Sequence, residues 1–438
     1  MLKFAVTTLG CKVNQYEERL IVRAFTSGQM AEVTFRDDAD IYIINSCAIT
    51  KEAENKARQI ASSVKGKKKE CIVILAGCYA TRLSGEEVKN IDILVGQADK
   101  NNIFKICIDF IRSSPSYSAM AGRISTADAP AAKLSYNRAR AQLKIQDGCK
   151  NFCSYCIVPY IRNKEYSVPP AEVIEEIVSL NSEGYREIVL TGIHLGKYDA
   201  LDIDGKKFGF EDLLKMLDIY PYPGELRIRL SSLDPSEVSE KIILLIKNSD
   251  VVVPHFHLAL QSGSDKILKL MDRRYSREDF IEKIAMIEAN IERAAITSDV
   301  IVGFPGESEE DFQQTFNLLN ELPFYDFHIF KYCERPGTKA VGFEGKVSSD
   351  VKKDRSVRLH ELKKKKNISY YEKNIGTPAK VIAEKVFIDK NGGIWLAGHS
   401  ERYIETLFKG GSDLIGRTLD VKMSAISDFH DGMLAELI

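Results

Sequence analysis

Nowhere in the 438 residues does an apolar run approach the ~18 consecutive residues of a membrane span. The opening MLKFAVTTLGCKVNQ also lacks the apolar segment that precedes a secretory cleavage site, so a cytoplasmic protein without membrane partners is expected. Charge of one sign is missing as well: 61 Lys plus Arg stand against 62 Asp plus Glu, and the net charge of −1 excludes a chain that is strongly basic or acidic as a whole. An even cysteine count is missing too. Nine cysteines without a secretion signal argue against a disulfide framework and for metal ligation or redox chemistry. With 44% hydrophobic and 28% charged residues the chain is neither collagen-like nor broadly disordered. Its length implies roughly two to four domains.

The pattern along the chain changes three times. Residues 1–112 alternate short apolar runs (KFAVTTLG, DIYIINSC, CIVILAGC, DILVG) with helix-compatible stretches, the rhythm of an open α/β domain with a parallel sheet. Residues 113–139 are rich in Ser, Ala and Pro without periodicity and read as a linker. From 140 to 345, six runs (AQLKIQD, EIVLTG, ELRIRLSS, HFHLALQSG, ITSDVIVGFPG, DFHIFKY) alternate with helical patterns, which fits a partial TIM-like barrel. Residues 346–371 read as a basic helical connection, and 351–367 alone carry eight Lys or Arg and two acids. Residues 372–438 contain short segments separated by Asn-Gly-Gly, Gly-Gly-Ser and Asp-Gly turns, the pattern of a small antiparallel barrel.

Two sets of cysteines carry the chemistry. Cys149, Cys153 and Cys156 stand in the spacing C-x-x-x-C-x-x-C directly after the first barrel strand. Three thiolates can hold three irons of a 4Fe–4S cluster and leave the fourth open, whereas closed structural zinc needs four protein ligands. Apart from these three thiols, no Cys or His lies between Cys107 and His194, which weighs against zinc. Cys11, Cys47 and Cys78 are widely spaced, but each falls just past the carboxyl end of a strand, the edge where open α/β sheets bind ligands. The plainer account of that second set is small apolar residues filling strand ends.

With these residues in view, IQDGCKNFCSYCIVPY resembles the radical S-adenosylmethionine enzymes, in which the open iron chelates the cofactor and its reductive cleavage gives a 5′-deoxyadenosyl radical. Tyr155 matches the aromatic position before the last cysteine of that motif, and packing is its other reading. TLGCKVNQYE, INSCAIT and AGCYA closely resemble the amino-terminal domain of methylthiotransferases, and this resemblance implies a second 4Fe–4S cluster on Cys11, Cys47 and Cys78 that delivers sulfur. The likeness continues through TGIHLGKYD, RLSSLDPSEV, HFHLALQSGSD and SDVIVGFPGE to a carboxyl-terminal segment similar to the TRAM RNA-binding domain. TLGCKVNQYE, TGIHLG and RLSSLDP look most like the branch that methylthiolates C2 of N6-threonylcarbamoyladenosine beside the anticodon of tRNA. Its neighbours act on isopentenyladenosine in tRNA or on a ribosomal-protein aspartate. The rival from another class is a zinc-containing RNA-binding protein.

The resemblance further implies a tRNA partner, an electron donor such as flavodoxin or ferredoxin, and S-adenosylmethionine contacts at Tyr155 in the cysteine motif and at Thr191, Gly192, Ser232, Gln261 and Asp299, placed at the carboxyl ends of barrel strands. His194, His255 and His257 share this region and receive no catalytic role; His255 and His257 point to one face of a strand. Cys71, Cys107 and Cys333 read as buried thiols rather than ligands. Asn163 and Val168 depart from the family pattern, which expects Gly and a basic residue there. Residues 372–438 hold eight Lys or Arg against ten acids, so phosphate attraction is assigned to the 351–367 helix, including Lys363, Lys364, Lys365 and Lys366, or to Lys65, Lys67, Lys68 and Lys69.

Overall fold

The computed structural model describes residues 1–83, 87–124 and 139–438. Contacts divide them into two units. Described residues up to 124 join with 149–151 and 156–164 in one, and 139–148, 152–155 and 165–438 form the other.

The first unit is built on a five-stranded parallel sheet. Lys3–Thr8 lies between Ala31–Glu32 and Ile41–Ser46, and Ile72–Gly77 and Ile93–Val95 follow outward. Ile41–Ser46 and Ile72–Gly77 are buried along their whole length, which is why both read as near-continuous apolar runs. Helices Lys12–Ser27 and Ile103–Ser113 cover one face, where Phe4, Phe25, Ile43, Ile74 and Ile108 pack together. Helix Lys51–Lys67 covers the other through Ala57, Ala61 and Val64.

The expected linker starts too early. Residues 114–124 form a 3₁₀ turn at Pro115–Tyr117 and a short helix Ser118–Ala121, with Met120 buried against the sheet core and Arg123 paired to Asp40 at 2.7 Å. Three apolar anchors, Tyr117, Met120 and Ile124, suffice to dock this Ser/Ala-rich stretch, and its overall composition conceals them. Residues 125–138 of the same linker lie outside the described residues.

In the second unit, six parallel strands follow one another in chain order: Arg140–Lys144, Glu187–Thr191, Arg227–Leu230, His255–Gln261, Ala295–Val302 and Asp326–Lys331. The first three pair side by side, and Ser232–Leu233 carries the third strand onto His255–Gln261. Among the described residues no ladder joins the last strand to the first, so the barrel is open. Helix Ser349–Asn374 then leads into a closed five-stranded barrel ordered Pro378–Ile388, Ile394–Ser400, Glu405–Phe408, Met433–Leu437, Thr418–Ile426. The expected boundary at 371/372 therefore falls inside a helix. Tyr370 and Tyr371 in its last turns pack with the barrel residues Val381, Phe408 and Met433, and this shared core prolongs the helix.

One buried ionic group joins the two barrels of this unit. Glu187, fully buried, accepts from Arg229 Nε at 3.0 Å and Nη2 at 2.8 Å and pairs with Arg227 Nε. The same arginines donate to main-chain carbonyls of the small barrel: Arg227 to Lys380 and His399, and Arg229 to Ser400 and Glu401, at 2.8–3.1 Å. Tyr403 stacks on His255 with ring centroids 4.8 Å apart and lies under the Arg229 guanidinium at 4.9 Å, capping the amino-terminal end of the strands.

Candidate metal centres and the barrel interior

Parallel pairing gathers the first cysteine set. Thr8 lies opposite Asn45 and Ser46 opposite Gly77, so the segments carrying Cys11, Cys47 and Cys78 leave neighbouring strand ends. Two glycines make the approach feasible. Gly10 has φ +116°, and a Cβ there would fall 2.5 Å from the Cys47 Cβ; Gly77 has φ +97°, and its Cβ would meet the Ser46 carbonyl at 2.7 Å. Burial pushes the Cys47 thiol up to about 12, with the neighbouring Cys11 and Cys78 adding to the effect. Burial also raises Cys11, against a lowering hydrogen bond from Asn14. Three thiols within electrostatic reach of one another, none in a disulfide, suit a cation that takes thiolates.

The surrounding charges fit the same ligand. Arg162 donates through Nε to the Cys78 sulfur at 3.3 Å and through Nη2 to Glu17 at 2.9 and 3.0 Å. Lys100 pairs with the same Glu17 carboxylate and donates to Asn45 Oδ1 at 2.9 Å. In the amide orientation that satisfies its neighbours, the Gln97 carbonyl accepts from the Cys78 amide at 3.1 Å and Arg162 Nη2 at 2.7 Å. Burial holds the Lys100 ammonium below its ordinary value, against the pull of Glu17. Two buried cations face one buried carboxylate, leaving one positive charge in excess. A 4Fe–4S core of charge +2 on three thiolates carries about −1, which offsets that excess in a place where an unpaired charge is costly.

The second set sits on a loop opened by Gly148 at φ +81°. Asp147 Oδ1 accepts from the Gly148 amide at 2.9 Å, while Gln146 donates to the Gly148 carbonyl at 2.8 Å and accepts from the His194 amide at 2.7 Å. The Cys149 amide donates to the Arg162 carbonyl at 3.3 Å. Ser154 is fastened to Leu270 and Met271, and Arg273 Nη1 reaches the Cys153 sulfur at 3.6 Å. Tyr155, partly buried, packs edge-on to Phe304 beside an apolar cluster with Ile267, Met271 and Tyr332. Arg273 is held by Asp234 at 2.7 Å and lies over Tyr275 at 4.9 Å. Neither Arg273 nor Asp234 was singled out in the sequence; the Asp in RLSSLDP, just past a strand end, was the available signal.

Thr191 and Gln261 end their strands, and Gly192 and Ser232 lie just beyond strand ends. Gln261 adopts φ +63°, a bend that turns the chain into the following loop. Asp299 departs from expectation: its strand runs on through buried Val300, Ile301 and Val302, so Asp299 lies in mid-strand. There Oδ2 faces His257 Nε2 at 3.1 Å and Oδ1 faces His328 Nδ1 at 3.0 Å. Thr297 bonds both His255 and His257, confirming that the two histidines share a face. The two imidazoles hold the Asp299 carboxyl well below its usual range although burial opposes them. His194 pairs with Glu237 at 2.6 Å. Among the remaining cysteines, Cys71 and Cys107 are buried as expected, whereas Cys333, just past the last barrel strand, is partly exposed.

Several expected phosphate ligands are already engaged. Lys65 binds Asp92 at 2.7 Å, Lys68 reaches Asp38 and Asp40, Lys363 binds Asp326, and Lys366 donates to the Asn320 and Leu322 carbonyls. Four successive lysines circle a helix, so two of them meet the barrel wall, and Lys364 and Lys365 remain exposed. The small barrel carries instead a surface aromatic group that sequence reading missed: Phe387, Trp395, Phe429 and His430, with Lys409 Nζ 3.5 Å above the Trp395 ring. Asn163 is exposed, and Val168 acts through its backbone, donating to Ile145 and accepting from Tyr198.

Comparison with known proteins now adds to this geometry. Residues 143–319 match the Radical SAM superfamily and residues 3–96 match Uncharacterized protein family UPF0004. The chain is 36% identical to threonylcarbamoyladenosine tRNA methylthiotransferase MtaB of Bacillus subtilis (strain 168), over 100% of this chain and 97% of that protein. The Thermotoga maritima protein of the same name is also 36% identical, covering 97% and 94%. A tRNA-2-methylthio-N(6)-dimethylallyladenosine synthase of Bacillus velezensis is 31% identical, covering 99% and 86%. In fold, the chain is similar to the radical S-adenosylmethionine methyltransferase TsrM from Kitasatospora setae, with a TM-score of 0.50 and 12% identity over 75% of this chain and 73% of that one. Full-length identity at this level, on top of a matched radical SAM segment, shows that the chain belongs to the radical SAM tRNA methylthiotransferase family.

Proposed function

We propose that this protein replaces the C2 hydrogen of N6-threonylcarbamoyladenosine, next to the anticodon at position 37 of tRNA, with a methylthio group. The observation that carries the reading is the pair of three-cysteine sets, in a chain that matches proteins of that name over its full length. Cys149, Cys153 and Cys156 would hold one 4Fe–4S cluster and Cys11, Cys47 and Cys78 the other; when bound, they supply reductive cleavage of S-adenosylmethionine and the sulfur that is transferred.

The chain's own groups bind, orient and exclude. Gln146 and Asp147 fix the loop carrying Cys149, Arg273 holds the Cys153 sulfur, and Thr191, Gly192, Ser232 and Gln261 line the strand ends where the cofactor is expected. The Asp299 group presents an ordered polar patch on the barrel strands. Tyr155, partly buried against the apolar cluster, is assigned to the cofactor side of the loop. Electrons are expected from a small carrier such as flavodoxin or ferredoxin.

Nucleoside mass spectrometry of tRNA from cells with and without the gene tests the reading. Loss of the methylthio group from threonylcarbamoyladenosine alone is expected; its loss from dimethylallyladenosine, or from no nucleoside, overturns the assignment. Anaerobic reconstitution should give about eight irons per chain, halved when Cys149, Cys153 and Cys156 are all replaced by Ala. Zinc without iron would indicate the RNA-binding alternative.

A further inference from the structure

Arg162 follows the third cysteine of the radical-site loop, yet residues 156–164 pack in the amino-terminal unit, where Ile157 and Ile161 sit against Cys78 and Ala48. Its backbone and side chain serve different cysteine sets. The carbonyl accepts from the amide of Cys149, and the guanidinium donates to the sulfur of Cys78, 84 residues away in sequence.

The guanidinium is firmly held. It is buried, bonded to Glu17 at 2.9 and 3.0 Å, and covered by the Gln97 carbonyl at 2.7 Å. Glu17 is shared with Lys100, so part of its charge is already answered and the field of Arg162 at the sulfur is not cancelled. A hydrogen bond and a positive charge at a ligand sulfur stabilise the reduced, more negative state of an iron–sulfur cluster, and such contacts, with net charge and solvent exposure, set its potential.

We propose that Arg162 is a positioning residue that raises the reduction potential of the cluster held by Cys11, Cys47 and Cys78, by fixing and polarising the Cys78 sulfur. The proposal rests on the assignment of that cluster above. It identifies no new ligand: Arg162 acts through Cys78. A structural role alone, as the partner of Glu17, would leave the potential where it is.

The test is a redox titration followed by electron paramagnetic resonance, on the full chain reconstituted with Cys149, Cys153 and Cys156 replaced by Ala so that one cluster contributes. Four irons in this parent support the underlying assignment; none overturns that assignment and the proposal together. Against the parent, Arg162→Gln is expected to shift the reduced-to-oxidised ratio at fixed potential about tenfold toward oxidised, about 59 mV for a one-electron couple. Arg162→Lys keeps the charge but loses the planar fork and should shift less. Glu17→Gln removes a negative charge while leaving the guanidinium beside the sulfur, so its shift should have the opposite sign. Unchanged potential in Arg162→Gln with four irons bound overturns the proposal. If Arg162→Gln loses its iron, Arg162→Lys and Glu17→Gln decide: opposite shifts support the proposal, and unchanged potentials, or loss of iron from a folded chain in all three, overturn it.

Discussion

Replacing Trp395 with Ala should weaken tRNA binding about tenfold. Trp395 stands on the outer face of the small barrel, its indole N–H donating to Asp389 at 2.9 Å and its ring 5.4 Å from that of Phe429. Phe387 and His430 extend the surface, forming a platform of the kind on which unpaired bases stack. A stacked base contributes about 2 kcal/mol by alanine substitution. Lys409 covers the ring at 3.5 Å, and displacing an exposed cation from an aromatic face costs about 0.7 kcal/mol. The difference, about 1.3 kcal/mol, is close to a factor of ten in Kd. The assay is simple because this chain has one tryptophan: intrinsic fluorescence titrated with tRNA reports on this position alone. Quenching is expected on binding, with Trp395→Phe retaining most of the affinity and Lys409→Gln lowering the salt slope by about 0.7 to 0.9 if Lys409 moves onto a phosphate. Fluorescence unmoved by saturating tRNA, together with an unchanged Kd for Trp395→Ala, would refute the platform.

Gly10→Ala should abolish iron at the amino-terminal site while sparing that at Cys149, Cys153 and Cys156, because the added methyl lands 2.5 Å from the Cys47 Cβ in a left-handed backbone; iron analysis should find about four irons per chain in the otherwise wild-type protein and none when the three radical-site cysteines are also Ala. Glu187→Gln should destabilise the second unit by about 3–5 kcal/mol, measured by chemical denaturation, since Arg227 and Arg229 lose a buried partner. Burial alone would raise the Glu187 carboxyl, but the two arginines hold it well below its ordinary value. Its stabilisation is therefore present above the unfolded-state value of about 4.3 and lost as pH falls toward the folded one, so wild type should lose more stability than Glu187→Gln on acidification below about pH 4. Asp299→Asn should loosen His257 and His328 and reduce turnover about tenfold or more without altering iron content; full activity would assign the group to packing.

Features set by local chain direction were legible in the sequence, and features set by long-range contact were not. Gly10-Cys11 and Gly77-Cys78 advertise strand ends because a glycine with positive φ is needed where the chain leaves the sheet, so the positions of Cys11 and Cys78 after strands followed from pattern alone. The six barrel strands were equally visible as apolar runs at regular spacing. By contrast, nothing near Arg162 announces Cys78 or Glu17, which lie 84 and 145 residues away. The basic helix was legible as a helix but not as a phosphate site, since pairing of Lys363 to Asp326 depends on which side of the helix meets the barrel.

The carboxyl-terminal barrel shows the same limit in a form that changes how its role is best tested. Its near-neutral charge weighs against a nucleic-acid role, but its placement rests on main-chain acceptors as well as on the Arg140–Glu384 ion pair at 3.1 Å. Arg227 and Arg229 grip it through four main-chain carbonyls, of Lys380, His399, Ser400 and Glu401, which any residues could supply and no sequence pattern marks. Because that grip shares Glu187 with the floor of the larger barrel, deleting residues 372–438 would strip the arginines of acceptors and uncover His255, damaging the catalytic barrel along with any RNA surface. Loss of tRNA binding in such a truncation would therefore say little about where RNA lies. Point changes at Trp395 and Lys409, which leave the carbonyls and the ion group intact, separate recognition from support.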